Sequence, residues 1–110
     1  MKIENTKAQM RKGVLEYCIL LLIKDNELYS SEIISKLKDS KLIVVEGTLY
    51  PLLTRLKNAG ILTYRWEEST SGPPRKYYSL TKIGETFTGE LSATWNALEK
   101  AVKSAQKQSK

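Results

Sequence analysis

The chain has no histidine and a single cysteine in its 110 residues. Without histidine it lacks the commonest general base and the commonest metal ligand, so acid–base catalysis and metal binding find little support. Cys18 stands inside the apolar run Tyr17-Cys-Ile-Leu-Leu-Leu-Ile23 and reads as a small buried hydrophobe rather than a redox group. That run is the longest apolar stretch, and it is too short to cross a bilayer, which takes about 20 residues. The first seven residues, Met1 to Lys7, are polar and unlike a signal peptide. A cytoplasmic location is expected. No glycine-rich phosphate loop is present, because Gly13, Gly47, Gly60, Gly72, Gly84 and Gly89 are scattered. No carboxylate pair has a setting that would raise its pKa; Glu67 and Glu68 read as solvated neighbours at a strand end. The expectation is a protein that is not an enzyme, with no metal site and no cofactor.

What is present suits a small globular domain. Hydrophobic residues make up 41% and charged residues 27%, which separates the chain from disordered sequences. Its length allows one domain with a modest core. The net charge is +6. An anionic partner is favoured, most simply nucleic acid. Four of the positive charges, Lys100, Lys103, Lys107 and Lys110, lie in the tail and could equally be solvated surface.

The stretch Glu46 to Gly60 reads as a short two-faced helix. Leu49, Leu52, Leu53 and Leu56 fall at i, i+3, i+4 and i+7 and form an apolar stripe. Pro51, Thr54 and Asn58 point the other way, flanked by Thr48, Tyr50, Arg55 and Lys57. Gly60 is placed to stop the helix. Such a helix can lie in a DNA major groove with its back on a core, although an ordinary amphipathic surface helix has the same pattern. Pro51 belongs near the first turn, since deeper inside it would cost a hydrogen bond and about 3 kcal/mol.

A hairpin is expected next. Ile61 to Glu67 alternates, with Leu62, Tyr64 and Trp66 on one side and Thr63, Arg65 and Glu67 on the other. Glu68 to Pro74 reads as a polar loop stiffened by Pro73 and Pro74, and Arg75 to Leu80 resumes strand-type residues. A hairpin directly after a helix with a polar outer face is the layout of a winged helix-turn-helix. A plain surface hairpin is the alternative. Trp66 reads as core.

Before these lie two helices. The first runs from about Lys7 to Lys24, polar at its start and apolar nearly all round from Val14. A helix apolar on every side wants burial on every side, and one small domain covers only one, so a partner subunit is implied. The second starts at Ser30-Ser31-Glu32, with a hydroxyl cap and an early acid, and ends near Asp39-Ser40-Lys41. Leu42 to Val45 is a short, largely β-branched stretch suited to a small third strand against the wing. After the wing, Thr81 caps a long helix to about Ala105. Ile83, Phe87, Leu91, Trp95, Leu98 and Val102 give it a narrow seam suited to helix-on-helix packing between subunits. Folding back onto its own domain is the alternative.

Two motifs make the chain recognisable. Gly47-Thr-Leu-Tyr-Pro-Leu-Leu-Thr-Arg-Leu-Lys-Asn-Ala-Gly-Ile-Leu62 and Gly72-Pro-Pro-Arg-Lys-Tyr-Tyr-Ser-Leu-Thr81 resemble the signature of the PadR family of bacterial transcriptional regulators. Gly13 to Ile23 is similar in character to that family's first helix, and the resemblance covers about residues 8 to 104. It is closest to the short branch with one C-terminal helix. The fold class so implied is mainly α with a small β-hairpin (α+β). Residues 1–80 would form the winged helix-turn-helix and residues 81–110 the C-terminal dimerisation helix and basic tail, as one compact unit.

The resemblance further implies a homodimer on a palindromic operator in double-stranded DNA, most simply as a repressor. Its DNA-facing candidates here are Thr48, Tyr50, Pro51 and Arg55 on the helix, Ser30 and Ser31 at a helix start aimed at the backbone, and Gly72, Pro73, Pro74, Arg75 and Lys76 in the wing. Arg55 would reach a phosphate or hold a neighbouring element; Arg75 and Lys76 would meet phosphate or serve structural salt bridges. Val14, Cys18, Phe87, Leu91, Trp95, Leu98 and Val102 would form the dimer interface. Drug-responsive members carry a tryptophan in the last helix where flat aromatic compounds stack, which makes Trp95, with Leu15 and Leu91, the candidate contact for a planar aromatic effector. Plain core packing is the alternative for Trp95. A winged-helix module for protein–protein contact, without DNA, is the alternative for the chain.

Overall fold

Leucine and isoleucine positions at helical spacing decide the architecture. In a computed structural model that describes residues 2–109, three helices enclose one apolar core: α1 (Ile3–Ile23), α2 (Ser30–Asp39) and α3 (Glu46–Asn58). Ile19, Leu20 and Ile23 of α1 meet Ile33 and Leu37 of α2 and Leu49, Leu53 and Leu56 of α3, all fully buried. Leu52 lies half-buried at the edge of that stripe. Burial of one such side chain is worth about 1.5–3 kcal/mol. That outweighs intrinsic propensity, and α2, with 10 residues, is too short to persist alone.

The antiparallel hairpin of β1 (Leu62–Ser69) and β2 (Gly72–Leu80) closes one side of this core through Leu62 and Tyr78. The last helix, α4 (Lys82–Gln108), leaves the hairpin at Thr81. The Thr81 hydroxyl accepts the Gly84 N–H at 2.9 Å and donates to the Gly60 carbonyl at 2.6 Å. One side chain therefore caps α4 and fastens it to the end of α3. Phe87 and Leu91 pack against the core, and the Tyr17 and Ser92 hydroxyls lie 2.7 Å apart between α1 and α4. From Ala93 to Gln108 every residue of α4 is exposed, so more than half of the helix projects as an arm.

Three expectations need correcting. The first helix begins at Ile3 rather than Lys7: Glu4 sits favourably on the positive helix end and pairs with Lys7 at 3.7 Å. Leu42 to Val45 is not a strand. Lys41, at φ 69°, closes α2 by a left-handed turn in which the Leu42 N–H reaches the Leu37 carbonyl at 2.8 Å, and the segment that follows leads into α3 without pairing with the wing. The strand-like partner of the hairpin is Leu28, which exchanges two backbone hydrogen bonds with Tyr78, at 3.1 and 2.8 Å. Pro51 is the sixth residue of α3, in the second turn, where its missing N–H leaves only the Gly47 carbonyl without its helical donor.

Candidate nucleic-acid interface

The leucine stripe that buries one side of α3 necessarily turns the other side out. Thr48, Tyr50, Pro51, Thr54, Arg55, Lys57 and Asn58 are all exposed. Tyr50 stands at the centre of this face, and its hydroxyl lies 2.9 Å from the Ser30 hydroxyl. Ser30 is therefore not the cap of α2. Tyr29 takes the capping position in extended conformation, and the Glu32 carboxylate accepts the Tyr29 N–H at 3.1 Å. Ser30 is the first helical residue and links α2 to α3, while Ser31 beside it is exposed.

The wing is longer and tighter than its sequence suggests. The expected seven-residue loop shrinks to Thr70 and Ser71, because the strands run on to Ser69 and from Gly72. The register slips between Glu67 and Ser69, so Pro73 and Pro74 sit in an irregularity where no ladder donor is required. Gly72, Pro73, Pro74 and Arg75 are exposed and Lys76 is half-buried. With Ser30, Ser31 and Tyr50 they border one groove of about 410 Å³ between the hairpin and the helices.

The wing cations are held by aromatic rings rather than by acids. The Arg75 guanidinium lies over the Tyr29 ring at 4.5 Å. The Lys76 ammonium lies over Tyr64 at 4.6 Å and Trp66 at 5.2 Å. Neither forms an ion pair with a carboxylate among the described residues. Their charge is thus available to an outside anion. Trp66, read from the sequence as core, is 60% exposed; the alternation placed it on the side of Tyr64, but it lies too far along the ribbon for the core to reach. Arg65 behaves differently: its Nε donates to Glu27 at 2.8 Å, and this hydrogen bond raises its pKa above the ordinary arginine value.

Arg55 is committed to a partner. Its guanidinium is hydrogen-bonded to the Glu16 carboxylate of α1, so it braces α3 against α1 while remaining exposed on its other edge. Sequence spacing does not single out Glu16 or Tyr29 for this site, and Trp66 reads there only as core. Only Tyr29 carried a signal, as the aromatic immediately before the expected start of a helix.

A second hollow, about 320 Å³, lies between α1 and α4 and is lined by Gln9, Met10, Gly13, Val14, Tyr17, Leu91, Thr94, Trp95 and Leu98. It brings Trp95 and Leu91 together. Leu15 lies elsewhere in the same chain, against Leu42, Ile43 and Val44, because one residue along α1 turns a side chain about 100°. No carboxylate lines the Trp95 hollow. Val14, Cys18, Phe87 and Leu91 are half-buried, and desolvation raises the pKa of the Cys18 thiol. Trp95, Leu98 and Val102 remain exposed at 38%, 54% and 56%. Among the described residues no helix is long and apolar enough to cross a membrane, and no cluster of acids and cysteine has a metal-binding arrangement.

Known proteins share both the sequence pattern and this architecture. Residues 19–90 match the transcriptional regulator PadR-like family. A PadR-like transcription factor from Bacteroides fragilis is 62% identical, over 92% of this chain and 98% of its own, with a TM-score of 0.79. A PadR-like transcriptional regulator from Bacillus cereus is 36% identical over 89% and 96%, with the same TM-score of 0.79. PadR of Bacillus subtilis, solved in complex with operator DNA, is 28% identical over 71% of this chain and 45% of its own, with a TM-score of 0.65. The chain therefore belongs to the PadR-like family of transcriptional regulators, which are not enzymes, and its helices and hairpin are the winged helix-turn-helix of that family.

Proposed function

We propose that this regulator binds double-stranded DNA as a homodimer, with α3 in the major groove and the wing on the flanking backbone. One observation carries the reading: Tyr50 of α3, Ser30 and Ser31 of α2, and the wing cations Arg75 and Lys76, neither of them in an ion pair among the described residues, border a single groove. Phosphates supply most of the affinity of such proteins, and base edges supply the specificity. Thr48, Tyr50 and Pro51 present methyl, ring and hydroxyl groups toward base edges, a set suited to thymine methyls and phosphate oxygens. The operator complex of the Bacillus subtilis relative supports DNA binding here.

A dimer would set two α3 helices about one helical turn, 34–36 Å, apart on a palindromic operator. The exposed seam of α4 supports that assembly, and repression by occlusion of a promoter is the simplest outcome. A planar aromatic effector between α1 and α4 at Trp95 would change the spacing of the two helices and lower operator affinity. The test is selection of bound duplexes from a random library, followed by a salt titration of the winner. Enrichment of a two-fold symmetric site, with affinity falling linearly in log salt, is the expected result. A flat salt response, or no enrichment, returns the chain to the protein–protein alternative.

A further inference from the structure

We infer that Tyr29 is a positioning residue for DNA binding, acting through Arg75 of the wing; this rests on the DNA-binding reading above. The structure stacks four side chains in a row across the outer face of the hairpin. The Arg75 guanidinium lies 4.5 Å from the Tyr29 ring centroid. The Tyr29 ring meets Tyr77 edge-on at 5.3 Å. Tyr77 carries the Arg65 guanidinium at 5.0 Å, and Arg65 closes the row on Glu27, two residues before Tyr29.

Tyr29 and Glu27 belong to the segment that leads into α2, and Arg75, Tyr77 and Arg65 belong to the two strands of the wing. The Leu28 pairing with Tyr78 fixes the same segment from the backbone. The row therefore ties the first turn of α2 to the wing independently of the apolar core. A guanidinium resting on a ring engages through its flat face, which leaves its in-plane N–H donors free for a phosphate. Arg75 forms no ion pair among the described residues: Glu67, opposite it in the ladder, pairs with Arg65 instead, at 3.6 Å. Holding the side chain in one place removes an ordering cost that would otherwise be met on binding. Lys76 is cradled by Tyr64 and Trp66 on the opposite face, so loss of Tyr29 would release one wing cation and leave the other in place.

The test uses the full chain and a fluorescein-labelled mixed-sequence duplex of about 30 bp, titrated at several salt concentrations. Tyr29→Leu is expected to weaken binding about fivefold and to lower the salt slope by about one, as Arg75→Ala does. Tyr29→Phe keeps the ring and restores both. Added to Arg75→Ala, Tyr29→Leu should cost nothing further. Upfield-shifted Arg75 side-chain protons in the wild-type NMR spectrum, unaffected by how well any variant folds, report the stack directly. Tyr29→Leu binding like wild type while Arg75→Ala binds weakly would overturn the inference alone. So would an equal loss from Tyr29→Leu on both backgrounds, or unshifted Arg75 protons. Absence of wild-type binding at low salt would overturn the DNA-binding reading and the inference together.

Discussion

The backbone of Gly84 passes so close to the carbonyl of Ile61 that no β-carbon fits between them. Ile61 follows the end of α3 and Gly84 lies in the first turn of α4, so this contact sets how the arm leaves the winged domain. Gly84→Ala is expected to destabilise by about 1–3 kcal/mol, toward the upper end because the obstacle is backbone and cannot rotate aside. Gly89, five residues on, has open space around it. Gly89→Ala is expected to stabilise by about 0.5–1 kcal/mol, since it only removes backbone freedom from an exposed helix. Urea midpoints for the two variants should move in opposite directions.

Arg55 and Glu16 predict a separation of fold from binding. The Glu16 side chain is only 18% exposed, and Arg55 is its ion-pair partner. Arg55→Ala leaves a half-buried carboxylate unpaired and is expected to cost about 1 kcal/mol, a figure already reduced for the exposure of the arginine. Duplex affinity should fall less for Arg55→Ala than for Arg75→Ala, because one cation is bonded within the fold and the other is not. Anisotropy titrations of the two variants side by side decide this. A larger loss for Arg55→Ala would place that side chain on the phosphates.

The α3 stripe, its polar outer face and the α4 cap at Thr81 were legible in the sequence because each depends on spacing along one element. Leu49, Leu53 and Leu56 share a face whatever surrounds them. The wing was less legible. Glu68 to Pro74 is rich in turn-forming residues, but pairing extended both strands to a two-residue turn, with the prolines at a register slip. β-propensity suggests Leu42 to Val45 as the third partner of the hairpin, whereas that segment follows the left-handed Lys41 without pairing and Leu28 pairs instead. Stacks such as Arg75 on Tyr29 join residues far apart in the chain, and no periodicity reports them. Trp66 was misplaced because alternation gives the side of a strand and not how far the core extends beneath it.

Tyr78 makes stability sensitive to alkali. Burial raises its pKa above the ordinary value of 10.0, with smaller contributions from Tyr50 and Tyr64. The folded state thus holds its phenol proton more tightly than the unfolded chain does. The stability it contributes is fully present below 10.0 and is lost as pH rises toward and through the raised value. Urea titrations on either side of that pH should show wild-type stability falling, with a shallower fall for Tyr78→Phe. Tyrosinate absorbance should show one phenol ionising after the others, and it should be missing in that variant.

The exposed half of α4 gives the proposed dimer its sharpest test. Trp95, Leu98 and Val102 step by three and four residues, so they lie along one side of the arm, and all three face solvent in a single chain. Met10 of α1, 74% exposed, lies across the same hollow from Trp95 and Leu98. Burying one such side chain against a second copy would contribute about 1.5–3 kcal/mol. Leu98→Glu would place a charge in the middle of that contact while keeping a good helix former at a position that is 54% exposed in the single chain and outside its core. Sedimentation equilibrium at micromolar concentration should show wild type as a dimer and Leu98→Glu shifted to monomer, with helix content unchanged by circular dichroism. Affinity for a two-fold symmetric duplex should fall with it, because one subunit places only one α3. A Leu98→Glu protein that remained dimeric would mean that two copies meet through another face, and the spacing of their α3 helices would then have to be set from that face instead.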